Sequence, residues 1–274
     1  MEKLATRLRT SAIYGYYMKY RLLCHNKLIR FFIGELIGSY YLFYLTNCTA
    51  YLNYPAYICS LLVIFGLGPI IEILSPVCNG QFNTGISIVF FLRRGQTFWQ
   101  TVVSIIAQFL GGLFSVLTLN LFFTDSLIAF SSKTYSFIQV LSECFGSFIL
   151  IFVLMLITYR KQSAALLIPG VIAAGCIALP SGMIVNPFIV VCRLISNSNN
   201  NISWQSCLVL LFSEFIGFAL GFLTGEFILV EGEREVPENY YKLENVEIKS
   251  ETLNQLESVF VDSQQPINEE IPMN

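Results

Sequence analysis

Six apolar runs, at about residues 31–48, 57–75, 97–123, 136–158, 164–179 and 205–230, dominate this chain of 274 residues. A helix of ~20 apolar residues crosses a bilayer. Lipid cannot satisfy open backbone groups, so such runs fold as helices. The fifth run is the shortest and ends at Pro180, so it leans on surrounding protein. Charged residues make up 12% of the chain and mean hydropathy is +0.64, against ~25% charged in an average soluble domain. The chain therefore reads as an all-α integral membrane protein.

Two further apolar runs, about 83–92 and 186–194, are half that length, and each opens on an asparagine. Asparagine is a favoured N-cap, and proline is favoured just after it because its missing N–H costs nothing there. Asn186-Pro187 thus starts a half-helix. Asn83-Thr84-Gly85 starts another less rigidly, since threonine does not preset φ and Gly85 weakens the first turn.

The halves of the chain repeat each other. "GELIGSYY" holds Glu35, Gly38 and Ser39; "SECFGSFI" holds Glu143, Gly146 and Ser147. "QFLGG" (Gln108–Gly112) matches "EFIGF" (Glu214–Phe218), and the asparagines fall between, so Glu35, Asn83, Gln108 answer Glu143, Asn186, Glu214 in order. Three spans per copy invert the second copy, and inverted repeats place broken helices at the midplane. The expected architecture is six transmembrane helices plus two re-entrant half-helices, with repeat one at about 31–123 and repeat two at about 136–230 within a channel domain of 31–230. Glu35 and Glu143 are costly in lipid unless paired. Each either accepts N–H groups from an entering loop or lies near a helix end and reaches water. Two half-helix N-termini meeting at the midplane would each bring roughly half a positive charge, with the asparagine amides aimed into a pore as donors.

Basic residues set the orientation. Lys3, Arg7, Arg9, Lys19, Arg21, Lys27 and Arg30 put the N-terminal segment (1–30) in the cytosol, with Arg93-Arg94 and Arg160-Lys161 on the same side. The acidic tail, 231–274, is then cytosolic and disordered in expectation. The membrane is either the plasma membrane or an intracellular one. Sequons at Asn47 and Asn201 fall on the opposite side, Asn47 close to the membrane. Eight cysteines without C-x-x-C pairing read as small hydrophobes. One histidine, His25, argues against a metal site. No nucleophile–base pair or phosphate loop is legible, so no enzyme and no cofactor are expected, and a net charge of −2 suggests no nucleic-acid partner.

Over about residues 30 to 230 the sequence resembles the aquaporin and aquaglyceroporin family, and looks most like its divergent branch. The twin asparagine-proline-alanine boxes of that family look like Asn83-Thr84-Gly85 and Asn186-Pro187-Phe188. The resemblance implies passive passage of water or small neutral solutes such as glycerol, a pore in each subunit, and a homotetramer in the bilayer. Thr84, Gly85 and Phe188 depart from the boxes. By the family's spacing the filter falls at Val63, Ala174, Met183 and Ile189, the last standing where the family has arginine. The outer constriction is then apolar. Arg193, one helical turn further out, either sets a charge at the mouth or snorkels to the interface. The bulk of Phe188 and the missing arginine keep open a second reading, a non-conducting structural or membrane-organising protein. A secondary transporter would need an ion relay facing the midplane, and none is legible.

Overall fold

A computed structural model describes residues 26–229. The basic segment up to His25 and the acidic tail from residue 230 lie outside the described residues. Within them every regular element is helical.

In chain order these are α1 (Lys27–Tyr51), α2 (Ala56–Cys78), α3 (Thr84–Leu92), α4 (Phe98–Phe123), α5 (Phe137–Tyr159), α6 (Ala164–Ala178), α7 (Pro187–Cys192) and α8 (Trp204–Ile228). Among the described residues, α1, α2, α4, α5 and α8 are long and apolar enough to cross a membrane; α6 has 15 residues. The chain is thus an all-α, multi-pass membrane protein. Outward faces carry Phe65, Phe114, Phe145, Phe212 and Phe227, all exposed, as a surface solvated by lipid requires.

Side-chain caps set most helix edges. Asn26 accepts from Leu28 N (3.0 Å) and Ile29 N (3.4 Å), so α1 starts before its apolar run and takes Lys27 and Arg30 into its first turns. Thr97 with Gln100, and Ser136 with Gln139, form capping boxes that open α4 and α5. Within α2, Val63–Leu67 widens into a π-helical turn. Pro69, just beyond, has no N–H to donate to the preceding turn.

The most extensive packing pairs α1 with α4 and α5 with α8. Helices in lipid associate through close packing at small residues, not by escaping water. A Cβ on Gly111 of α4 would collide with the Leu36 carbonyl of α1, and one on Gly217 of α8 with the Cys144 carbonyl of α5. Leu36 follows Glu35, and Cys144 follows Glu143. The sequence repeat is therefore repeated in contact. The far end of the bundle is marked by an Arg93–Glu226 ion pair of 3.7 Å.

Candidate functional site

Glu35 and Glu143 are both fully buried, each facing the loop that precedes a short helix. Glu35 accepts from Gln81 N and Phe82 N, both at 3.0 Å. Glu143 accepts from Ile184 N at 3.3 Å and from Val185 N. In each loop the two donors are the residues just before the asparagine. Buried backbone N–H groups outside a helix need such partners, and each glutamate supplies them. Neither side chain reaches water.

The rest of the E-x-x-G-S pattern has a steric purpose. A Cβ on Gly38 would enter the Phe82 ring, and one on Gly146 would press on Val185 and Met183. Glutamate holds the backbone of the residue before the asparagine, and glycine makes room for its side chain. Ser39 and Ser147 then pack on Gly111 and Gly217.

Phe82 (φ 44) and Val185 (φ 43) share a second peculiarity: both occupy the left-handed region. For a β-branched valine this is costly, of order 1–3 kcal/mol, and persists only where surroundings enforce it. The strain turns two carbonyls toward each other's loop. Asn83 Nδ2 donates to Val185 O at 2.7 Å, and Asn186 Nδ2 donates to Phe82 O at 2.8 Å. Each amide thus spends one hydrogen on the opposite loop and keeps one, where the sequence suggested that both would face a pore. Asn83 Oδ1 caps α3 through Gly85 N (2.8 Å) and Ile86 N (3.2 Å). Asn186 is extended but makes no cap bond, and its Oδ1 has no partner.

Behind the loops the halves differ. Gln108 donates to Glu35 Oε2 (2.8 Å) and Ser87 Oγ (2.9 Å), and accepts from Thr84 Oγ1 at 3.1 Å. Thr84 therefore adds a bond that proline could not make. Glu214, in the place of Gln108, accepts from Asn186 N at 2.7 Å through Oε1, while its buried Oε2 has no partner among the described residues.

Gly85 and Phe188 compensate each other's size across the repeat. A Cβ on Gly85 would meet the Phe218 ring of α8, and one on Gly112 of α4 would meet the Phe188 ring of α7. Phe188 is fully buried in that pairing and takes no part in the cavity wall. Its bulk, expected to tighten a pore, is absorbed elsewhere.

A cavity of about 250 Å³ runs from Tyr54, Tyr135 and Asn200 at the mouth to Asn83 and Asn186. Of the four filter positions, Met183 and Ile189 line it. Val63 is buried in the core, and Ala174 lies exposed on the outer face of α6. In their place the wall carries Cys59 from α2 and Cys176 from α6. On α2 the wall takes Cys59, Leu67 and Ile71, while Val63, where the π turn begins, packs into the core. On α6, Ile168, Ile172 and Cys176 recur every fourth residue, and Ala174 falls between them on the opposite side.

Arg193 also lines the cavity, is 8% exposed, and donates from Nε to Asn47 Oδ1 at 3.0 Å. Arg193 therefore does not snorkel outward; it sets a charge at the mouth. Asn47 has no exposed surface and also bonds Phe43 O at 3.1 Å, so it cannot accept a glycan. Only the pairing with a residue 146 positions away reveals its use.

No protein-family model matches the chain, and no curated protein matches it at a significant level.

Proposed function

We propose that this chain is a divergent member of the aquaporin family and a passive channel for water and small neutral solutes such as glycerol. On this reading all six longer helices cross the bilayer, α3 and α7 are re-entrant half-helices of an inverted repeat, and both termini are cytosolic. The functional unit is a homotetramer with one pore per subunit, and it carries no enzymatic activity.

The observation that supports this best is the reciprocal bond between Asn83 and Val185 and between Asn186 and Phe82 at the inner part of the cavity. The spare amide hydrogens offer a permeating oxygen two donors at one level. Arg193 adds a fixed charge that repels cations, and Ile189, Met183 and Ile86 give an apolar lining that tolerates polyols.

A non-conducting structural or membrane-organising role is the second reading. It is favoured by the isoleucines of the cavity wall, Ile71, Ile86 and Ile168 among them. An apolar pore lining can stop flow by dewetting.

The test is osmotic light scattering on liposomes holding the full chain, beside an Asn83→Ala/Asn186→Ala control shown to insert. Fast shrinkage in sucrose, absent from the control, supports the channel, and fast reswelling in glycerol extends it to polyols. Traces that match empty liposomes, with folded protein present, would overturn the channel reading in favour of the structural one.

A further inference from the structure

Cys59 and Cys176 are free, half-buried and face the same cavity. They stand on the facing helices α2 and α6. Cys59 Sγ donates to Thr46 O at 3.6 Å. The two helices are fixed at this level, because Ser60, next to Cys59, donates to Ala173 O at 2.7 Å, one turn from Cys176. Arg193 lines the same cavity. Elsewhere the described cysteines are differently placed. Cys78, Cys192 and Cys207 are buried away from the cavity wall, and Cys48 points its thiol at Leu45 O at 3.3 Å.

The geometry points to Cys59 and Cys176 as an oxidisable dithiol, converted to an intrachain disulfide by a hydroperoxide that enters the cavity. One sulfur attacks a peroxide oxygen: an S–O bond forms, the O–O bond breaks, and the departing hydroxide takes the thiol proton as water. The second sulfur then attacks the sulfenic sulfur. An S–S bond forms, the S–O bond breaks, and the second hydroxide leaves as water with the remaining proton. With hydrogen peroxide, two thiols give one disulfide and two waters, the sulfurs losing two electrons to the oxidant. The Ser60–Ala173 bond holds the two helix backbones close at this level, so the thiols meet through rotamer changes. The product has no S–H to satisfy Thr46 and presents an apolar wall pinned between two helices.

The test uses the full chain in liposomes treated with hydrogen peroxide, then alkylated and digested. The expected result is a cross-linked Cys59–Cys176 peptide, with loss of alkylation at both residues, reversed by reductant. It is absent from Cys59→Ser and from Cys176→Ser. Continued alkylation of both residues in folded protein would overturn the proposal, as would a Cys48–Cys59 link or separate sulfinic acids. A second arm rests on the channel reading: peroxide should slow osmotic shrinkage and reductant restore it, with no response in the double serine variant. Vesicles that form the disulfide yet never pass water support the dithiol and count against the channel alone.

Discussion

At Gly85 the chain has no room for a methyl group, because the Phe218 ring occupies it. Gly85→Ala is expected to cost about 1–3 kcal/mol as overpacking, read as a lower unfolding midpoint in detergent. Adding Phe218→Ala should recover part of the loss; a fall equal to the sum of both singles would break the pairing. Glu143 carries more. Glu143→Ala leaves two buried N–H groups without an acceptor, at about 1–3 kcal/mol each, and should yield protein that inserts poorly. Glu214→Gln is expected to be mild, since Gln108 already shows an amide in the equivalent place and the amide oxygen can still accept from Asn186 N; a collapse as severe as that of Glu143→Ala would show that the site needs a carboxyl there. The sequence displays the glutamates, the asparagines and their order because those residues are costly in lipid and therefore conspicuous. It hides the exchange of Gly85 and Phe188 for Phe218 and Gly112, since steric pairs between distant helices leave no local period.

Helices approach each other here through glycine. Gly217→Leu drives a side chain into the α5 backbone at Cys144 and Phe148 and is expected to separate α5 from α8, measured as lost protease resistance of the folded protein. Thr97→Ala, which removes one side of the α4 capping box, should cost only about 1 kcal/mol. A larger loss would mean that Thr97 holds something other than the cap. Helix positions were legible from apolar length, while the starts are set by the caps Asn26, Thr97, Ser136, Ser163 and Ser203, which the length of an apolar run does not show. What length cannot convey is rotation. Val63 is packed into the core while Cys59, one turn earlier, lines the cavity, a difference that spacing along the chain does not carry. Arg193 was visible as a residue but not as a wall, because its burial depends on Asn47 at the far end of α1.

Across the whole molecule, Arg193 is the one formally charged side chain among the described residues of the cavity wall. On the proposed channel reading, Arg193→Ala is expected to raise polyol flux relative to water flux and to open a leak for cations, followed by vesicle swelling and by a potential-sensitive dye. Unchanged selectivity would remove Arg193 from the constriction. The reciprocal bonds of the two loops bear on how such a chain is made. Asn83 finds its carbonyl 102 residues further along, at Val185. During synthesis the first half is made with the Phe82 carbonyl and the Asn83 amide lacking these partners, and both groups are buried in the finished chain. It is an unfinished object that only the second half can close. The two halves are thus each other's last folding step, and a chain interrupted between α4 and α5 is a substrate for quality control, not half a protein.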